Sequence, residues 1–163
     1  MAHLADVLTY IFENYPSKNL KSKDPLKGLS PRKIIWLAYL ADWKNAILNG
    51  RQISDAAWKI MDFEPSLEPE SLSDVTLFAE RKSRRILTPL RTALIGNGLS
   101  RQETGLIDEV ISIARNRTPE ELKQLVYSTY PALSGDGKDT VDMVELARKY
   151  QDIMPQRKLQ RSK

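Results

Sequence analysis

The residue types that most often do chemistry in proteins are scarce in this chain. It has no cysteine and a single histidine, His3, close to the N-terminus. A serine–histidine triad, a histidine metal cage and a cysteine–histidine pair each need partners that the sequence lacks. The sequence also contains neither a GxxxxGK[ST] nor a GxGxxG phosphate-binding pattern. These absences disfavour nucleophilic, metal-dependent and nucleotide-dependent catalysis, and we predict no cofactor and no metal.

Carboxylates are the remaining candidates for catalysis. Asp42 lies in an apolar stretch with Asn45 nearby, but no histidine is close in sequence to form an acid–base pair. Glu120 and Glu121 are explained by helix capping, and the five acids of residues 62–74 lie in a proline-broken segment. General acid–base chemistry needs carboxylates held in a dry, rigid cleft. A carboxylate hydrolase is thus the only enzyme class that the composition does not disfavour, and we predict that the protein is not an enzyme.

The stretch "RKIIWLAYLADWKNAILNG" decides whether these polar residues belong to a site or to a core. Ser30 and Pro31 are a typical N-cap and first helical residue, and Asn49-Gly50 is a typical left-handed stop. Inside the helix, one stripe follows helical spacing and consists of Trp36, Leu40, Trp43 and Ile47. A helix that is apolar nearly all round is a central core helix. We therefore predict that this stripe, together with Trp58, is structural core.

The rest of the pattern predicts a mainly α-helical fold with a small β element. Alternation in residues 51–63 favours a short strand, followed by a surface loop that opens into a helix near Ser73. Capping boxes at Ser100 and Thr118 each begin a helix, and Pro131 is expected to end the second. We predict a compact multi-helix domain over residues 1–133, a linker and C-terminal helix over 134–154, and a basic disordered tail over 155–163.

Charge is unevenly distributed along the chain. The formal net charge is +4, and residues 155–163 carry four bases and no acid, which leaves a net charge of 0 for the remainder. A second basic cluster consists of Arg81, Lys82, Arg84, Arg85 and Arg91. Solvated surface is the simpler interpretation of both, because no aromatic residues interleave the cluster to stack on bases. Nucleic-acid binding or a regulatory role through these residues remains the alternative.

Hydropathy sets the expected location. No apolar run approaches the roughly 18 residues that a membrane helix needs. The N-terminal "MAHLADVLTY" lacks the basic start and continuous apolar stretch of a signal peptide. We therefore expect a cytoplasmic protein without a membrane partner.

Two longer segments resemble the Panacea, or SocA-like, antitoxin domain of bacteria and phages. They are "LSPRKIIWLAYLADWKNAILNGRQISDAAWKIMDFEPSLEPES" and "LSRQETGLIDEVISIARNRTPEELKQLVYSTYP". Trp58 takes the place of the tryptophan in the family's middle motif, and the resemblance covers residues 4–131. The family's Tyr-Gly-Pro after that tryptophan is here Phe63-Glu64-Pro65.

The resemblance implies a mostly helical domain that neutralises a toxin by protein–protein binding, without enzyme activity. The expected partner is a toxin encoded by an adjacent gene. A few aromatic or arginine anchors usually supply most of the energy of such an interface. Our candidates flank the least regular part of the chain, and they are Phe63, Leu67, Arg81, Arg84 and Arg85.

Overall fold

A computed structural model of the chain describes residues 2–15, 29–68, 71, 73, 75, 98–135 and 140–161, with side chains of the last helix as far as Met154. The described part contains six continuous helices and two strands, besides the helical residues 71, 73 and 75. In chain order they are α1 (Leu4–Asn14), α2 (Pro31–Asn49), β1 (Trp58–Met61), β2 (Glu64–Leu67), α3 (Arg101–Arg115), α4 (Pro119–Tyr127), α5 (Tyr130–Ser134) and α6 (Met143–Arg161). The prediction of a mainly helical fold with a small β element is confirmed.

Helix α2 is the centre of the fold, and its ends lie where the sequence predicts them. The Ser30 hydroxyl accepts a hydrogen bond from Lys33 N at 3.1 Å, and Gly50 ends the helix with a φ of 71°. Helices α1, α3 and α6 and the strand β2 all pack against α2. Four of the five predicted core residues are buried, and Ile47 is partly buried against the same core; the four are Trp36, Leu40, Trp43 and Trp58.

Asp42 joins α2 to the segment that follows it. This carboxylate is fully buried and accepts hydrogen bonds from Ile53 N, Ser54 N and Ser54 Oγ at 3.0, 2.8 and 2.5 Å. Trp58 Nε1 donates to it at 2.8 Å, and Gln52 Nε2 approaches to 3.4 Å. We call this group the Asp42 network. One helical side chain thereby fixes the backbone that leads into β1 and orients the Trp58 indole.

The two strands form an antiparallel hairpin in which Trp58 lies opposite Leu67 and Met61 opposite Glu64. The sequence predicted β1 but not β2, because acids and prolines made residues 62–72 resemble a surface loop. β2 tolerates its proline because a strand at a sheet edge leaves one side of its backbone unpaired. The expectation of a loop is therefore wrong for residues 64–67, whereas residues 71, 73 and 75 are helical.

The C-terminal part belongs to the same core. Val141 N donates to Trp58 O at 2.8 Å, and Met143 and Ala147 are buried. Pro131 does not end a helix. It occupies the first turn of α5, where the backbone N–H that proline lacks would have no partner within the helix. Helix α6 continues to Arg161, so the predicted boundary at residue 155 falls inside a helix.

Gly135 gives one sharp test of this packing. A Cβ added there would lie 2.8 and 2.9 Å from Cγ1 and Cγ2 of Ile60, and closer still to its Cβ. Because Ile60 is itself buried in β1, we expect Gly135→Ala to lower the free energy of unfolding by about 2 kcal/mol. Gly105→Ala is the control, since an added Cβ meets nothing within 4 Å inside α3. It should stabilise by about 0.5–1 kcal/mol in urea unfolding; equal effects would contradict the contact.

The Asp42 network also predicts a pH dependence. Burial raises the pKa of the Asp42 carboxyl from 3.8 to about 6. The hydrogen bonds from Ser54, Trp58 and Ile53 lower this pKa, but the effect of burial is larger. Between these two values the folded state holds a proton that the unfolded state has released. The contribution of this carboxyl to stability is thus greatest below its unfolded pKa and is lost as pH rises through about 6.

We expect this loss to amount to about 3 kcal/mol. The measurement is the difference in unfolding free energy between wild type and Asp42→Asn, followed by urea unfolding at several pH values. As pH rises from 3.8 to about 6, wild type should lose stability relative to Asp42→Asn. The opposite slope would show that the donors outweigh burial and hold the pKa below its ordinary value.

Candidate functional site

The tip of the β1–β2 hairpin, Met61–Glu64, presents apolar side chains to solvent. Its two turn residues, Asp62 and Phe63, have positive φ angles of 52° and 69°. A two-residue turn with both φ values positive is the type that fits the twist of a hairpin, and asparagine or glycine usually occupies it. Phenylalanine is unfavourable there, yet Phe63 is 53% exposed and Met61 is 55% exposed. The fold therefore exposes an aromatic side chain to solvent at a position whose backbone conformation is unfavourable for phenylalanine.

A cleft opens beside this tip, between β2, the start of α2 and the end of α4. Its volume is about 550 Å³, within the range of ligand pockets. We call it the cleft; its walls are formed by Pro31, Arg32, Ile35, Trp36, Met61, Asp62, Glu64, Pro65, Ser66, Val75 and Tyr127.

The polar groups of the cleft converge on Arg32. Arg32 Nε donates to Glu64 Oε1 at 2.5 Å, and its Nη2 donates to the Tyr127 hydroxyl at 3.1 Å. That hydroxyl donates in turn to Glu64 Oε2 at 3.3 Å. The guanidinium also lies 4.8 Å from the centre of the Trp36 ring, and Tyr127 meets the same ring edge-on. These contacts connect α2, β2 and α4 through one cation.

The Arg32 guanidinium is charged around neutral pH. The hydrogen bond with the Glu64 carboxylate raises the pKa of Arg32 above its ordinary value, so the guanidinium stays charged. The Arg32 side chain is 54% exposed, and solvent screening keeps the energetic value of this ion pair modest. The pair therefore positions groups in the cleft more than it stabilises the fold.

The structure separates the residues that the sequence singled out as partner contacts. Phe63 is exposed at the hairpin tip, as its candidacy requires. Leu67 is only 3% exposed, because the alternation of β2 turns it inward, opposite Trp58. Leu67 is therefore core, and proposing it as a surface anchor was wrong. Arg81, Arg84 and Arg85 lie outside the described residues, so their partner role and the nucleic-acid alternative stay predictions.

Sequence reasoning missed the cleft itself. Arg32 lay in the predicted helix and Glu64 among the acids of the predicted loop, but neither was proposed for a site, and Tyr127 was not singled out. A possible signal was the capped start of α2, which fixes where Arg32 points. Nothing in the sequence placed Tyr127, 95 residues later, beside it.

His3 does not line the cleft and instead lies beside Asp55 on the surface. His3 Nδ1 lies 3.0 Å from Asp55 Oδ2 on the surface, and the His3 side chain is 82% exposed. Within the described residues, no cluster of three potential ligands could hold a metal ion. None of the described helices is both long and apolar enough to cross a bilayer.

Comparison with known proteins returned no relatives. No family model, no curated protein and no solved structure matches this chain.

Proposed function

We propose that this protein is an antitoxin-like binding module that acts in the cytoplasm and neutralises a toxin by direct contact. The observation that carries the proposal is Phe63, an aromatic side chain that is exposed on a two-residue turn whose positive φ is unfavourable for phenylalanine. Backbone strain of this kind persists where the surrounding structure enforces it, and it concentrates at functional positions. Aromatic residues, phenylalanine among them, are also enriched at protein–protein interfaces relative to the rest of the protein surface.

The resemblance to the Panacea, or SocA-like, antitoxin domain supports the choice of partner. The hairpin tip coincides with the place where the family pattern has Tyr-Gly-Pro and this chain has Phe63-Glu64-Pro65. If the family uses this turn, the substitution of glycine by glutamate and the retained aromatic would give the chain its own specificity. The partner is accordingly a toxin whose gene lies beside the gene for this protein.

In this mechanism the protein covers the active surface of the toxin and needs no chemistry of its own. A stable, specific complex buries on the order of 1,200–2,000 Å². Phe63 and Met61 supply an apolar centre at the hairpin tip, and Asp62, which lies between them in the turn, supplies a charge.

The test is co-expression with the product of the adjacent gene. We expect that product alone to arrest growth, and this protein to restore growth and to co-purify with it through size-exclusion chromatography. A growth arrest that this protein does not relieve, together with separate elution of the two proteins, would contradict the proposal.

A further inference from the structure

The cleft leaves one of its carboxylates without a counter-ion. Three charged side chains line it, those of Arg32, Asp62 and Glu64, so one cation faces two anions and the lining has a net charge of −1. Arg32 and Glu64 neutralise each other in their ion pair. Asp62 is exposed in the turn of the hairpin, and among the described residues no cation pairs with it. The unbalanced charge of the cleft is therefore that of Asp62.

Unused hydrogen-bond acceptors accompany this charge. A carboxylate has about four acceptor sites. Within the described part of the chain, Glu64 accepts one bond at each oxygen, from Arg32 Nε and from the Tyr127 hydroxyl, so each oxygen can accept another. The groups that complete this part of the cleft are therefore positively charged hydrogen-bond donors.

The other walls of the cleft are mainly apolar. Ile35, Pro65 and Val75 line it, and Pro65 and Val75 are buried. The methylene stem of a long basic side chain packs on such a surface while its charged end stays at polar groups or in water. Arginine fits better than lysine, because its planar guanidinium has five N–H groups and can bond two carboxylates at once.

The cleft is continuous with the hairpin tip. Met61, Asp62 and Glu64 belong to the tip and also line the cleft, so a protein that covers Phe63 reaches the mouth of the cleft. From these observations we propose that the cleft receives an arginine side chain of the protein partner. The guanidinium bonds to Asp62 and Glu64, and the stem lies on the apolar walls. The identity of that partner rests on the proposed function, whereas the site itself can be tested without the toxin.

Three probes test the site: the peptide acetyl-Leu-Arg-Leu-amide, the same peptide with citrulline in place of arginine, and 4-phenylbutylamine. Citrulline has nearly the shape of arginine but no charge, so the two peptides isolate the contribution of the cation. The readout is a titration of the ¹H–¹⁵N backbone signals of Asp62 and Ser66, which line the cleft. The titration is carried out at low salt, because exposed charge pairs are screened as the ionic strength rises.

We expect the arginine peptide to shift both signals saturably and to bind about fivefold more tightly than the citrulline peptide, as for an exposed ion pair. No saturable shift with the arginine peptide at millimolar concentration overturns the proposal, and so does equal binding of the two peptides. Binding of 4-phenylbutylamine without binding of the arginine peptide assigns the cleft to small amines and overturns the assignment to a side chain.

Two variants with opposite expected effects separate recognition from a structural role. Asp62→Asn removes the charge but keeps a residue that suits a positive φ in the turn, and it should weaken binding of the arginine peptide about fivefold. Arg32→Gln removes the cation that competes for Glu64 and should strengthen binding several-fold. Weaker binding in Arg32→Gln, or unchanged binding in Asp62→Asn, overturns the proposal.

Asp152→Asn is the matched control, because it removes the same charge from an exposed residue of α6. Asp152 follows Gln151, whose side chain donates to Ile47 O near the end of α2, whereas the cleft lies at the start of that helix. The control should leave the affinity unchanged, and an equal loss in it would reduce the effect to net charge and overturn the site.

The site and the proposed function can fail separately. Binding of the arginine peptide by a protein that does not relieve growth arrest would keep the site and reject the toxin as its partner. Growth rescue without peptide binding would reject the site and keep the proposed function.

Discussion

Replacing Asp42 with alanine should lower the free energy of unfolding by about 4 kcal/mol, the largest loss that we expect from any single substitution outside the apolar core. The side chain lost is small, so the reason is not a cavity. The substitution leaves three buried N–H groups without an acceptor, on Ile53, Ser54 and Trp58. Each such group costs about 1–3 kcal/mol when it is left unsatisfied.

The size of this effect follows from the absence of a counter-ion. Within the described residues, no lysine, arginine or histidine pairs with Asp42. Its charge is stabilised by dipoles alone, and these dipoles belong to the segment that leads from α2 into β1. Losing the carboxylate therefore also loosens the start of β1 and the orientation of the Trp58 indole. We expect the melting temperature to fall by about 10 °C.

Two further variants define the cause. Above about pH 6, where the folded state no longer holds the extra proton, Asp42→Asn keeps one oxygen for the backbone donors and should cost about half as much as Asp42→Ala, because only the bonds at the second oxygen are disturbed. Asp108→Ala removes the acceptor of an exposed hydrogen bond from Tyr10, at 2.9 Å, and should cost at most about 1 kcal/mol. Chemical denaturation followed by tryptophan fluorescence measures all three. A loss for Asp42→Ala no larger than that for Asp108→Ala would contradict the network.

Asp42 also shows how much of the structure can be predicted from the sequence. The helix α2 was predicted to be apolar nearly all round, and such a helix leaves no solvent face on which a carboxylate could lie. The burial of Asp42 and Asn45 agrees with this pattern, although burial of these two polar residues was not itself predicted. Their partners were not implied. The donors lie 11 to 16 residues away, in a segment whose backbone has no periodicity to predict its path.

The hairpin shows a second feature that the sequence predicted only in part. Alternation predicted β1 because its burial alternates between core and surface. In β2 only four residues alternate, two acidic or polar and two apolar, and one of the apolar residues is a proline. Such a segment is distinguished from a loop only by its partner strand. Leu67 was therefore wrongly predicted to lie on the surface. The cleft could not be predicted either, because β2 and Tyr127 form it together and neither was expected there.

Phe63→Gly should have two opposite effects, and this separates stability from binding. Glycine adopts positive φ without the penalty that a Cβ imposes, and Asp-Gly is a preferred pair in a two-residue hairpin turn. Since Phe63 is 53% exposed, little apolar burial is lost with its ring. We expect the free energy of unfolding to rise by about 1 kcal/mol, measured by urea unfolding. A lower stability would show that the ring contributes packing that its exposure does not reveal.

The same variant should bind the partner much more weakly. If Phe63 is the aromatic anchor of the interface, its removal costs about 2–4 kcal/mol of binding energy, which is a decrease in affinity of about 30- to 1,000-fold. Leu48→Ala is the matched control, because Leu48 is 61% exposed and lies near the opposite end of α2 from the cleft. It should leave growth rescue and co-purification intact. A more stable protein that no longer protects against its partner can be explained only by a surface role for Phe63, whereas unchanged protection would remove the hairpin tip from the interface.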